Sequence, residues 1–193
     1  MQNTIAAPHV SVSNAPRVAG KIARIALGTA VLAASSWISI PLAPIPITMQ
    51  TYAVIVIGAL FGARLGSLTV LAWLAEAAVG LPVLAQGAAG IAVFAGPSAG
   101  YLFSFPVIAA FVGWLSDRRF DRGLVRTFGS MLVANAVNLG LGVLWLASFL
   151  GWRRAVIAGF LPFWIGGVAK TVLATITITM YRSRSAKGAA NLR

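Results

Sequence analysis

Lys170 is the side chain of this sequence best placed to do chemistry: an ammonium inside the long apolar run 155–181, just after Gly166-Gly167. A charge at that depth in a bilayer costs about 2.5 kcal/mol on insertion scales and is tolerated where it meets a partner, a cavity or a bound anion. Helical side chains lean toward the N-terminus, over positions i−3 and i−4. Those positions are Gly167 and Gly166, so bare backbone leaves room for the lysine stem, and Pro162 loosens the helix above it. Lys170 therefore either anchors an anionic ligand group or is held structurally, by pairing with Glu76 or by snorkelling to an interface. It lies about 20 Å from the start of its run at the rise of an α-helix, which strains the snorkelling reading.

Few other polar groups share the apolar runs. Glu76 is the one acid within them, and it can pair with Lys170, accept a ligand N–H, or reach an interface. Gln86 sits in the uncharged stretch 81–97 with Gly87, Gly90 and Gly96. Its amide offers donors and an acceptor, which suits a urea or amide group of a ligand, or the local backbone. Thr48 and Gln50 follow Pro44-Ile45-Pro46, and Asn135 and Asn138 share one helix face. For the asparagines, a bond to a neighbouring helix competes with ligand binding. Trp73, Tyr101, Trp145 and Trp164 can stack on a ring or serve as core and interfacial aromatics. The sequence has no Ser-His-Asp set, no H-E-x-x-H, no Walker A run and no carboxylate cluster. With no cysteine it has no thiol metal or redox site, and its one histidine, His9, lies in a polar N-terminal stretch. These residues read as a binding protein rather than an enzyme, with no catalytic residues, metal or cofactor of its own.

The elements that position them are membrane helices. Hydrophobic residues make up 59% of the chain and charged residues 9%, against roughly a quarter charged in soluble domains; mean hydropathy is +0.90. The expected fold is an all-α integral membrane protein, a compact bundle of six transmembrane helices at about 22–40, 49–63, 65–80, 98–116, 127–149 and 156–181. The second and third are short and are separated only by Gly62-Ala63-Arg64-Leu65-Gly66. A flexible tail over 1–16, a membrane domain over 17–182 and a basic tail over 183–193 complete the organisation. Arg17, Lys21 and Arg24 before the run 25–40 imitate a signal peptide, but the equally apolar remainder marks that run as a retained first helix. The net charge of +12 arises from 15 basic against 3 acidic residues. The basic residues flank spans rather than forming a soluble basic face, which argues against nucleic-acid binding. With both termini in the cytoplasm nearly all of them fall inside, leaving Arg153 and Arg154 outside, as the positive-inside rule requires. The segments 41–48, 81–97 and 150–155 then face outward and would form the mouth of any pocket. The stretch 81–97 is too apolar for a solvated loop and is expected to line a cavity, where irregular backbone is protected from lipid. Ala26, Ala30 and Ala34 repeat a small side chain on one face of the first helix, a close-packing surface for another helix or a partner subunit.

Pro46-Ile47-Thr48-Met49-Gln50-Thr51, Gly80-Leu81-Pro82-Val83, Gly96-Pro97-Ser98-Ala99-Gly100-Tyr101 and Gly159-Phe160-Leu161-Pro162-Phe163 occur in this order ahead of Lys170. Over residues 22–181 this combination resembles the BioY family, the biotin-specific substrate-binding (S) components of energy-coupling factor (ECF) transporters. The resemblance implies a six-helix carrier of the bacterial cytoplasmic (inner) membrane that binds biotin in an outward-facing pocket capped by its external loops. It also implies a transmembrane coupling protein and two ABC-type ATPases as partners, with ATP used there, the alanine repeat as docking face, and a carrier that topples to deliver its ligand. Biotin's carboxylate would complement Lys170, and its ureido group would use Gln86 and other loop polar groups. One departure stands out: the family commonly has an acidic residue three positions before the lysine, where this chain has Gly167. A carrier for another small carboxylated vitamin, and a non-transport intramembrane scaffold built on a Lys170–Glu76 pair, remain the alternatives.

Overall fold

A chain immersed in lipid must satisfy its backbone polar groups internally, and an α-helix does so within a single segment. The computed structural model describes residues 15–190 apart from Arg122, without the side chains of residues 15–17, 186, 187, 189 and 190. His9, most of the expected N-terminal tail, and Arg193 lie outside the described residues. The helices are α1 (Ala15–Trp37), α2 (Gln50–Ala78), α3 (Ala99–Asp117), α4 (Leu124–Leu150), α5 (Trp152–Gly159) and α6 (Leu161–Ala190). Among the described residues five stretches are long and apolar enough to cross a membrane: Val18–Trp37, Gln50–Ala78, Ala99–Asp117, Leu124–Leu150 and Trp152–Ser185.

The second stretch takes up the two short spans expected at 49–63 and 65–80. It is not a straight rod. Gly62 has φ 80° and ψ 174°, a region of backbone space essentially reserved for glycine. A methyl group at Gly66 would lie 3.0 Å from the Cα of Gly58, although eight residues of straight helix span about 12 Å. The halves 50–61 and 63–78 therefore fold back on each other. Asp117 Oδ2 accepts the Ala63 N–H at 2.9 Å, placing a carboxylate at the start of the second half, where helix N–H groups lack partners.

The last expected span is also subdivided. Gly151, at φ 75°, ends α4, and the eight-residue α5 precedes α6. Pro162 sits in the first turn of α6, where its missing N–H does no harm. This helix continues past residue 182 to Ala190, through the segment expected as a tail. Between α1 and α2 a two-stranded antiparallel ribbon, β1 (Ser39–Ile40) and β2 (Ile47–Thr48), pairs Ser39 with Thr48. Between α2 and α3 the chain makes two 3₁₀ turns, Ala85–Gly87 and Ile91–Ala95.

Val54, Ile55, Val70, Trp73, Ile108 and Met131 are fully or almost fully buried and form the centre of the bundle. Leu27, Val31, Leu71, Val107, Leu144 and Ile176 are exposed around it, an apolar mantle suited to lipid rather than water. Polar contacts tie one end of the bundle together. Arg182 pairs with the buried Asp121 at 2.8 Å and donates to Ser116 Oγ at 2.8 Å, while the Ser116 hydroxyl donates to the Ala59 carbonyl at 2.7 Å. This end joins α2, α3, the α3–α4 linker and α6. The other end carries the linkers 38–49 and 79–98.

Candidate functional site

The two long linkers and the ends of α2, α3, α4 and α6 enclose a cavity of about 180 Å³. Its walls come from sequence-distant residues: Ile45 and Thr48 before α2, Gln86 and Val93 in the second linker, Tyr101 and Phe105 on α3, Asn135 and Asn138 on α4, and Phe163 and Lys170 on α6. Trp73 Nε1 donates to the Val83 carbonyl at 3.0 Å, and the Gly90 N–H to the Ala77 carbonyl at 2.7 Å. These bonds fix the second linker over the bundle, so its irregular backbone lines a cavity in place of lipid.

Three polar side chains of the lining are engaged with the protein itself. Gln50 donates through Nε2 to Ser36 Oγ at 3.0 Å and accepts from the Thr48 hydroxyl at 3.1 Å, joining α1, β2 and α2. Asn138 accepts from the Ser104 hydroxyl at 2.7 Å and donates to Thr51 Oγ1 at 3.5 Å. The Tyr101 hydroxyl donates to the Gly159 carbonyl at 2.8 Å, and its ring stacks on Phe163 with centroids 6.0 Å apart. That pair makes a fixed aromatic wall.

The remaining polar groups face the cavity with capacity to spare. Lys170 is half-buried, is the one charged residue of the lining, and forms no ion pair among the described residues. Gln86 is exposed at the mouth, in the left-handed region at φ 58°, which disfavours an L side chain by about 1–2 kcal/mol. Asn135 is buried, lines the cavity and packs against Gly167. The lining thus offers one cation, amides and hydroxyls between apolar and aromatic walls. It contains no carboxylate, imidazole or thiol to act as a base or nucleophile. Such a surface suits reversible capture of a small amphipathic anion.

Of the residues expected from sequence to reach a ligand, Lys170, Gln86, Thr48, Gln50, Tyr101 and Asn135 converge on the cavity. Two do not. Trp73 is fully buried in the core, tilted against Phe105 with ring centroids 6.0 Å apart, and its indole N–H donates to the Val83 carbonyl. Glu76 is half-buried away from the lining, and no Lys170–Glu76 pair forms. The free space foreseen over both glycines is also partly filled, because Asn135 occupies the room above Gly167. Asn138, weighed with Asn135 from the sequence, also lines the cavity, and Thr51 and Phe163 join the lining without having been singled out for it. Phe163 was signalled only by its glycine- and proline-rich run. Ala26, Ala30 and Ala34 are exposed on the side of α1 that faces away from the buried Thr29, Leu32 and Ser36.

A sequence model of the BioY family matches residues 4–187. A probable biotin transporter BioY of Pyrococcus horikoshii is 36% identical over 158 residues, covering 82% of this chain and 93% of that protein. The biotin transporter BioY of Rhizobium etli is 39% identical over 149 residues, covering 72% of this chain and 79% of that protein. Among solved structures, the S-component for biotin of an ECF-type ABC transporter aligns with a TM-score of 0.77 at 27% identity, over 90% of this chain and 95% of that one.

Proposed function

The chain belongs to the BioY family, and from that premise we propose that it is a membrane carrier that binds biotin in the cavity between its two long linkers. The observation that carries this reading is the cavity itself: one unpaired ammonium, Lys170, set between apolar and aromatic walls. Biotin has one carboxylate on an aliphatic arm and a bicyclic head with a ureido group, and each part meets a complementary surface. Lys170 anchors the carboxylate. Gln86 at the mouth offers its amide to the head or closes over it, and the Tyr101–Phe163 wall and Phe105 face the rings. Thr48 and Gln50 shape the entrance through their bonds to each other and to Ser36.

In this reading the two halves of α2 are separate passes, giving a bundle of six, and the cavity opens to the outside of a bacterial cytoplasmic membrane. Charge supports that orientation. Arg64, Arg118, Arg119, Arg126 and Arg182 lie toward the end held by the Arg182–Asp121 pair, whereas Arg153 and Arg154 lie on α5 near the cavity, as the positive-inside rule favours for cytoplasmic termini. Delivery to the cytoplasm is driven by an ECF module, a coupling protein with ABC-type ATPases, which docks on the exposed Ala26, Ala30 and Ala34 of α1; the carrier itself hydrolyses no ATP.

The test is uptake of labelled biotin by cells that lack their own biotin importer and express this chain, with and without an ECF module. Saturable uptake, enhanced by the module and abolished by Lys170→Ala, is expected. Cells that accumulate no biotin although the chain is folded in their membrane would overturn the reading.

A further inference from the structure

The amides of the cavity divide into two kinds. Gln50 and Asn138 each have both their oxygen and their nitrogen bonded to protein hydroxyls. Asn135 is only 4% exposed and lines the cavity, yet its side chain forms no hydrogen bond among the described residues. Among the described residues the one fully buried side-chain polar atom without a partner is Asp121 Oδ1, so the Asn135 amide opens onto the cavity with its capacity unspent, and that calls for an explanation.

Its position supplies one. The Asn135 amide rests against Gly167, where even a methyl group would collide with it. Gly167 lies one helical turn before Lys170, and the lysine stem leans back along the helix toward that turn. The free amide and the ammonium therefore converge on the same part of the cavity, with no carboxylate in the lining to engage either. A lone ammonium is a point charge that orients a carboxylate poorly, because its donors rotate freely. A second, fixed donor beside it completes a two-point seat for two oxygens.

Resting on the biotin reading above, we infer that Asn135 is a specificity-determining residue: its amide donates to the second oxygen of the ligand carboxylate beside Lys170. Gly167 is its necessary counterpart, since a side chain there would push the amide away. The carboxylate's two oxygens accept from the Lys170 ammonium and the Asn135 amide N–H, whereas an uncharged carboxamide offers a single acceptor oxygen and forgoes the charge-assisted bonds. Selectivity for the acid over its amide is thus set by Asn135 together with Lys170.

Equilibrium binding of biotin and of biotinamide to the purified full chain in nanodiscs tests this, with Asn135→Ala, Asn135→Asp and Gly167→Ala beside wild type. Asn135→Ala should weaken biotin binding about tenfold to a hundredfold, the range of one hydrogen bond to a charged group. Biotinamide binding should change little, so the preference for the acid shrinks. Asn135→Asp should lose more, because the new carboxylate pairs with Lys170 and repels the ligand. Gly167→Ala, which leaves Asn135 in place but displaces its amide, should reproduce the Asn135→Ala pattern and covers the case in which Asn135 variants fail to fold. Equal losses for both ligands, or unchanged biotin affinity in folded Asn135→Ala or Gly167→Ala, would overturn the inference while leaving the carrier reading intact. A folded wild type that binds neither ligand would remove the biotin reading and this inference with it.

Discussion

Lys170 and Gln50 line one cavity, but only one of them is free to recognise a ligand. Gln50 is held by Thr48 and Ser36, so its removal acts on the fold first. Gln50→Leu removes the acceptor of the buried Thr48 hydroxyl and the donor to Ser36 Oγ, which keeps only its bond to the Leu32 carbonyl, and should lower stability by about 1–3 kcal/mol, read as a fall in the thermal unfolding midpoint in detergent without ligand. An unchanged midpoint would show that the α1–α2 link at the cavity mouth carries no stability. Lys170 was legible in the sequence because a charge inside an apolar run demands a reason. Trp73 was not, since an indole in a hydrophobic span reads alike whether it faces ligand or core; its bond to Val83 is a tertiary fact. Asn138 and Asn135 look equivalent in sequence, and only Ser104 and Thr51, brought in from other helices, separate the engaged amide from the free one.

At the scale of elements, the fold turns on Gly62. Its φ of 80° and ψ of 174° exclude a side chain on backbone grounds, and the Asp117 carboxylate fills the space a Cβ would take. Gly62→Ala should therefore cost about 1–3 kcal/mol from backbone strain alone, and Asp117→Ala about 1 kcal/mol from the lost cap on Ala63. Chemical-denaturant titration in mixed micelles would rank them, and an Asp117→Ala chain less stable than Gly62→Ala would contradict this order. The run Gly62-Ala63-Arg64-Leu65-Gly66 announced an interruption, yet sequence could not say that the halves fold back, because that depends on Gly66 resting on Gly58. The cavity-lining character of 81–97 was readable from an apolar, uncharged, glycine-rich composition. Helix α5 was not, as eight residues beginning Trp152-Arg153-Arg154 carry too little periodicity to distinguish a short helix from a loop.

At the scale of the molecule, the surfaces proposed for recognition and for assembly are separate. The exposed Ala26, Ala30 and Ala34 face of α1 does not line the cavity. Ala30→Leu should leave biotin affinity of the isolated chain unchanged while blocking copurification with an ECF module; a variant that copurifies normally would remove this face as the docking surface. The end remote from the cavity is held by Arg182 and the buried Asp121. Arg182→Met leaves that carboxylate without its cation and should destabilise the chain toward the lower end of roughly 3–5 kcal/mol, since the arginine is 30% exposed. Ligand affinity in the folded fraction should be untouched. The central claim is that the cavity binds biotin through the charge of Lys170. Its most direct measurement is equilibrium binding of radiolabelled biotin to the purified chain in nanodiscs, wild type beside Lys170→Ala. One saturable site per chain, weakened about tenfold to a hundredfold or more by the substitution while the unfolding midpoint holds, is the predicted result. Equal binding by both folded proteins would contradict it and move the anchor away from Lys170.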